Sequence, residues 1–354
     1  MILRMSERDA PTAPLRLRLS REALIHNWRW LHGQSFGAAC GAAIKADGYG
    51  LGAIEVAEYL AGAGCRDFFV ATWAEAEKIA PIINGCALSV LHGVRPADLP
   101  MARDINARPV LNSTQQVKLW RESGGGQCDV MIDTGMNRLG LSPEEVSAGA
   151  LDGLSIHTAM SHLASADEGS AQNAVQLRLF TDVKSRVMAQ RYSLANSAGI
   201  CLGRDYCFDL TRPGLSLYGG VPRVEAEGHI RQVVTPEAEV LQVRDLRAGD
   251  HVGYNATWAA TTPCRIATIN LGYADGYLRG FSDKGSAHFA EQRLPVVGRV
   301  SMDIVTLLIP DGCKVQAGDW VSIDYHLPSA SVQSGLSQYE LLTGLGQRYE
   351  RVWE

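Results

Sequence analysis

Reactive polar residues recur just after short apolar runs in this chain: Lys45 in AAIKADGYGLG, Arg138 in MIDTGMNRLG, His162 in SHLASAD, Asn196 and Ser197 in ANSAG, and Arg212 in TRPGLSLYGG. A lysine that leaves an apolar strand for a Gly-rich turn is partly buried. Burial and neighbouring cations lower its ammonium pKa, which makes the amine a nucleophile and a base, suited to a Schiff base with an aldehyde cofactor. Ser197 and Gly214 each open a turn whose free N–H groups and hydroxyl could hold a phosphate. Taken singly, each has a plainer reading: Lys45 as the surface partner of Asp47, Arg212 as a structural salt bridge at a strand end, either turn as an ordinary turn. Their repetition at equivalent places favours one shared site.

The elements that must carry these groups are successive βα units, each an apolar run, a polar or glycine turn and an amphipathic stretch. The strands expected are Gly41–Ile44, Asp67–Ala71, Leu88–Leu91, Arg108–Leu111, Val130–Ile132, Ile156–Met160, Tyr192–Ala195 and Asp209–Thr211, with helices over Leu51–Ala61 and Thr72–Ile79. Eight units predict an α/β fold, a (β/α)8 TIM barrel, and in such a barrel catalytic groups sit at the C-terminal ends of strands. After Tyr218 the texture turns to alternating Val, Leu and Ile with Gly-Asp turns, which predicts a C-terminal mostly-β domain. Its expected strands are Glu237–Val243, Cys264–Ile269, Leu294–Val300 and Trp320–Asp324. The expected division is a flexible N-terminal extension at 1–14, or an upstream start before Met5, then the barrel at 15–225 and the β-rich domain at 226–354.

Composition narrows the partner. Hydrophobic residues make up 46% and charged residues 20% of the 354, so burial does not limit folding. The net charge of −5, with no basic run, argues against nucleic acid or an anionic membrane and for a small-molecule substrate. Eight cysteines without a C-x-x-C pair read as reduced thiols, with no metal site. No stretch suits a signal peptide or a membrane span, so a cytoplasmic location is expected.

Seven blocks, A-x-x-K-A-D-G-Y-G, D-T-G-M-N-R-L-G, S-H-L-A-S-A-D, A-N-S-A, R-P-G-L-S-L-Y-G, G-Y-A-D-G-Y and V-G-R-V-S-M-D, run in order from about residue 41 to 303. Together they resemble the alanine racemase family. The resemblance implies pyridoxal 5'-phosphate, fold type III and an amino-acid substrate. It implies that Lys45 carries the cofactor and is one of two bases, and that Tyr273 in GYADGY is the other. It also implies that Tyr273 comes from a partner subunit, in a homodimer with shared active sites. Bases on opposite faces of a planar carbon invert it without large motion. A phenol is a poor base near neutrality, and the resemblance has His162 link Tyr273 to Arg212 in a cationic network. Arg212 resembles the residue at the pyridine nitrogen, where a guanidinium keeps its proton and leaves the ring neutral. Tyr49, Ser197 and the backbone at Gly214 resemble phosphate contacts, with Asn196 beside them. Arg138 resembles the group on the cofactor phenolic oxygen and the substrate carboxylate, and Met302 a main-chain contact to that carboxylate. Asp167, Arg299 and Asp303 resemble parts of the substrate's access path.

Three positions depart from the family pattern. Many members have a carbamylated lysine where this chain has Met131, so Arg138 lacks the anion that orients it there. Ser193 stands where some relatives have histidine, and Gln347 where a C-terminal tyrosine often touches the phosphate. A racemase of wider range, acting on serine too, fits the same blocks, and the biosynthetic or catabolic role stays open. A fold-type-III decarboxylase would want a carboxylate in place of Arg212 and has no use for Tyr273. A non-catalytic carrier of the same barrel would lack residues 226–354.

Overall fold

The computed structural model describes residues 13–354. The expected extension at 1–14 lies outside the described residues except for its last two positions. The chain forms two compact units, one spanning Ser20–Val233, the other joining the N-terminal strand to Val234–Glu354. This corrects both edges expected for the barrel. Strand β1 (Leu15–Leu19) does not open the barrel. Its LRLRL alternation gives a strand with one buried edge, and it pairs with two strands of the β-rich unit, β11 (Val234–Leu246) and β19 (Glu350–Trp353). The barrel unit also runs on to Val233, eight residues past the expected boundary at 225, because Ser20 N–H donates to the Val233 carbonyl at 2.9 Å.

Within Ser20–Val233 the strands are β2 (Ala39–Cys40), β3 (Ala42–Ala43), β4 (Asp67–Val70), β5 (Ala87–Val90), β6 (Arg108–Leu111), β7 (Cys128–Met131), β8 (Ile156–Met160), β9 (Arg191–Ser193) and β10 (Leu210–Thr211). Strands β3 to β9 form one parallel sheet in chain order. It closes on itself. β10 pairs with β2, and the N–H groups of Asp209 and Arg212 donate to Tyr192 and Ala195 carbonyls at 3.0 and 2.8 Å. β2 and β3 are one strand broken at Gly41, where a Cβ would lie 2.7 Å from the Asp67 carbonyl oxygen. All eight expected strands are therefore present, and the first, fifth, sixth, seventh and eighth lead into Lys45, Arg138, His162, Asn196 with Ser197, and Arg212. Phe68, Phe69, Val70, Val90, Val110, Val130 and Ala159 are all buried, so the strands are covered on both faces, inside the barrel and under the helices, as those of a parallel barrel are.

The helices that brace this rim are α1 (Arg21–Gln34), α2 (Lys45–Tyr49), α3 (Ala53–Ala63) and α4 (Trp73–Ile79). The expected Thr72–Ile79 helix begins with Thr72 as its cap, in a reciprocal capping box with Glu75, an arrangement that contributes about 1 kcal/mol.

In the second unit β11 is long and changes partners along its length. It pairs with β1 and with β18 (Trp320–Ile323) first, then from Val240 onward with β14 (Cys264–Ile269), with a register shift between Val240 and Gln242; the hairpins β12 (His251–Val252) with β13 (Trp258–Ala259) and β15 (Ser286–Phe289) with β16 (Gln292–Pro295) lie between these strands in the chain. β14 in turn pairs with β17 (Val305–Ile309). Two short helices, Leu327–Ser334 and Gln338–Thr343, interrupt this β texture. The sequence reading did not foresee them.

Candidate active site

Lys45 follows β3 and Ile44 and opens an unusual turn. Ala46, Asp47 and Gly48 take left-handed φ values of 53°, 54° and 62°, and Tyr49 continues at 56°. Each non-glycine residue there costs about 1–2 kcal/mol, and such strain persists only where surrounding bonds over-determine it. Here the Gly48 N–H donates to the Ile44 carbonyl and the Gly50 N–H to the Ala46 carbonyl, both at 2.9 Å. The Asp47 carboxylate accepts from Ala53 N–H at 3.0 Å, which ties the turn to α3. Asp47 is thus a capping group and not the ion partner of Lys45. Burial, helped by the charge of Arg138, lowers the Lys45 ammonium below its ordinary value, and Glu75 opposes the shift.

Arg212 leaves β10 and is buried, with 6% of its surface exposed. Its Nη2 donates to the Ser161 carbonyl at 2.5 Å and its Nη1 donates to the Ser193 hydroxyl. Burial lowers its pKa to about 10, against the pull of the buried Asp129 carboxylate, so it stays cationic at neutral pH. His162, following β8, is lowered to about 3, first by burial and then by the charges of Arg212, Arg138 and Lys45. The four groups therefore feel one another across the rim. His162 is thus neutral at neutral pH, close enough to Arg212, Arg138 and Lys45 to feel their charges.

The Arg138 loop is closed by its own backbone. Asp133 N–H donates to the Leu141 carbonyl and Leu141 N–H to the Met131 carbonyl, both at 2.9 Å, and the Asp133 carboxylate accepts from Gly135 and Met136 N–H. Gly140 at φ 129° admits no side chain, since a Cβ would lie 2.6 Å from Asp133 N. Gln176 joins this loop to the next: its amide donates to the Thr134 hydroxyl at 3.3 Å and to the His162 carbonyl at 3.0 Å. Among the described residues no hydrogen bond or ion pair is made by the Arg138 side chain, and Met131 is buried.

Tyr49, Ser197 and Gly214 meet in a separate cradle. The Ser197 hydroxyl oxygen accepts from Gly214 N–H at 3.0 Å and from Ser216 N–H at 3.2 Å, which leaves its own proton to donate. A Cβ on Gly214 would fall 2.2 Å from the Tyr49 hydroxyl, so only glycine lets the two approach. Tyr49 stacks on Tyr218, ring centroids 4.6 Å apart, and Tyr218 donates to the Ala43 carbonyl at 2.9 Å. The Asn196 side-chain oxygen is spent on Gly199 N–H, as the cap of Ser197–Cys201.

Tyr273 and Met302 lie in the other unit. Tyr273 N–H donates to the Ser301 carbonyl and Ala274 N–H to the Met302 carbonyl, both at 3.0 Å. The Arg348 guanidinium grips buried Asp275 at 2.6 and 2.8 Å and Asp303 at 2.7 Å, so it locks these two loops together. The Arg279 guanidinium lies 5.6 Å from the Tyr273 ring centroid.

Sequence reasoning missed Glu75, Asp129, Gln176 and Arg348. Only Glu75 had a local signal, the T-x-x-E capping pattern from Thr72.

The model of the alanine racemase N-terminal domain matches residues 19–222, and that of the C-terminal domain residues 233–353. The chain belongs to the alanine racemase family. It is 40% identical to the alanine racemase of Methylobacterium nodulans over 355 residues, covering 95% of both chains. It is 39% identical to that of Acidiphilium cryptum, covering 93% of this chain and 96% of the relative. Among solved structures, the alanine racemase of Bartonella henselae with covalently bound pyridoxal phosphate is similar with a TM-score of 0.89 and 34% identity, covering 97% of this chain and 100% of that one. Lys45, His162 and Arg212 lie in the Ser20–Val233 unit, and Tyr273 and Met302 in the other.

Proposed function

We propose that this protein is a pyridoxal-phosphate-dependent alanine racemase, working as a homodimer by a two-base mechanism in the cytoplasm. The observation that carries the reading is Arg212, a buried guanidinium fixed at the end of β10 by Ser193 and Ser161, beside a lysine whose ammonium is weakened by burial. The cradle suits a phosphate, since Ser197 retains a proton to donate and Gly214 leaves room against Tyr49. Free cysteines throughout support a reducing compartment, and among the described residues no helix is long and apolar enough to cross a membrane.

When bound, pyridoxal phosphate supplies an electron sink for the pair of electrons at the substrate α-carbon. The residues do the rest. Lys45 would hold the cofactor, with Ser197 and Tyr49 on its phosphate and Gly214 N–H orienting the Ser197 hydroxyl. Arg212 donates a hydrogen bond to the ring nitrogen without giving up its proton, which discourages reactions that need a protonated ring. Arg138 and the Met302 main chain receive the substrate carboxylate. Lys45 Nζ takes or returns the α-proton on one face, and Tyr273 of the partner subunit does so on the other. His162, being neutral, can accept from one neighbour and donate to another, and so would pass the influence of Arg212 to that phenol.

The test uses the purified protein. It should show an absorbance band near the visible edge and abolish the optical rotation of L-alanine, with L-serine as the probe of wider range. Lys45→Ala should remove both. A parent protein with neither band nor racemisation would end this reading.

A further inference from the structure

The capping box at α4 does more than start a helix. A capping glutamate needs one carboxylate oxygen, and Glu75 Oε2 meets that need by accepting from Thr72 N–H at 3.0 Å and from Ala71 N–H at 2.7 Å. Its other oxygen reaches 29 residues back in the chain, where Oε1 accepts from Ala46 N–H at 2.7 Å. Ala46 is the residue directly after Lys45 and the first of the left-handed run. Charge-assisted bonds of this length are the strong kind.

We propose that Glu75 is a positioning residue for Lys45: its carboxylate pins the strained turn that aims the lysine and sets a negative charge beside the amine. The inference rests on the proposed role of Lys45 and concerns what holds that lysine in place and in which charge state. The charged and titratable groups acting on Lys45 come from three directions, Arg138 on the loop after β7, His162 after β8 and Glu75 on α4. Of these Glu75 is the anion. It favours the protonated amine, whereas burial and Arg138 favour the neutral one. A glutamine there could keep the cap with its oxygen, but its amide N–H2 would then face the Ala46 N–H, donor against donor.

The experiment compares Glu75→Gln, Glu75→Asp and Thr72→Ala in the full-length enzyme with cofactor bound. Thr72→Ala removes the other half of the cap and leaves the carboxylate in place. Two readouts are taken: hydrogen exchange of the Ala46 amide, and the pH profile of kcat/KM in each direction alongside the pH titration of the visible-edge absorbance. Glu75→Gln should speed Ala46 exchange about tenfold or more. It should also move the acid limb of the Lys45-dependent direction, and the absorbance titration, to lower pH by about half to one unit, with the opposite direction unmoved. Glu75→Asp, one methylene shorter, should free Ala46 as much while shifting the limb less. Thr72→Ala should do neither. Unchanged exchange in Glu75→Gln and Glu75→Asp, or a pH shift shared by Thr72→Ala, overturns the inference. Ala46 exchange needs no turnover, so a parent enzyme that fails to racemise alanine would sink the proposed function while the clamp is still judged.

Discussion

The Arg212 guanidinium donates to the Ser193 hydroxyl, and Ser193 donates in turn to the Leu210 carbonyl, two residues before Arg212 itself. The side chain is thus anchored to the start of its own strand through its neighbour β9. A hydrogen bond to a charged group contributes about 1.5–3 kcal/mol. Ser193→Ala should therefore lower kcat about tenfold and leave KM for alanine nearly unchanged, because in the proposed mechanism Arg212 would meet the cofactor ring and not the substrate carboxylate. Steady-state kinetics in both directions checks this, and a loss confined to KM would show that Ser193 serves binding instead.

A site completed by a neighbouring chain makes a distinct prediction. Lys45→Ala and Tyr273→Phe should each abolish racemisation. When the two variants are unfolded, mixed in equal amounts and refolded, half the dimers should carry one intact site, restoring roughly a quarter of parent activity. Mixtures as silent as the separate variants would place both bases on one chain.

Much of this was legible in the sequence, and the physical reason is locality. Lys45, His162 and Arg212 each follow an apolar run, and a barrel puts such residues on one rim whatever the rest of the chain does. β1 carried a legible signal that position overrode, since LRLRL alternates as a half-buried antiparallel strand does. Ser193, Gln176 and Arg348 were not legible as partners, because each acts on a group brought near only by folding. Asp129 gave no hint at all. A carboxylate inside CDVM contradicts a buried strand until Arg108, His157 and Ser89 are known to surround it.

Met131 yields a third prediction. The Met131 side chain is a buried thioether, which cannot form a carbamate with carbon dioxide. Activity measured in degassed buffer should match that with added bicarbonate. The Arg138 side chain has no protein anion to orient it among the described residues, so KM for alanine should rise when Arg138→Lys removes its fork, by about ten- to a hundredfold. Rescue of the parent enzyme by bicarbonate would mean that a carbamate forms elsewhere on the site.

The last prediction concerns acid stability. Asp129 is fully buried in the barrel, accepting from the Ser89 hydroxyl at 2.6 Å and Thr158 N–H at 2.9 Å, with Arg108 at 3.3 Å and His157 at 3.7 Å. By taking the Thr158 N–H it also occupies the register shift between Cys128 and Val130 on β7. Burial pushes its carboxyl up, but the nearby His157, the Arg108 charge and the Ser89 hydrogen bond outweigh it, and the pKa falls below the ordinary value. A depressed carboxylate binds fewer protons folded than unfolded. Its contribution is therefore complete above the unfolded value of about 3.9 and is lost as pH falls through the lower folded value. Removing the anion leaves the partly buried Arg108 unpaired and a buried amide in place of the carboxylate, and Asp129→Asn should cost about 3 kcal/mol near neutrality. The gap between parent and variant in urea unfolding should stay constant from pH 7 to about 5 and then narrow below about pH 4. Because Asp129 also raises the Arg212 pKa, the variant should lose some kcat even where it is folded. A gap that stays constant down to pH 3 would show that the cluster holds the barrel by packing and hydrogen bonds alone, with no part for the charge.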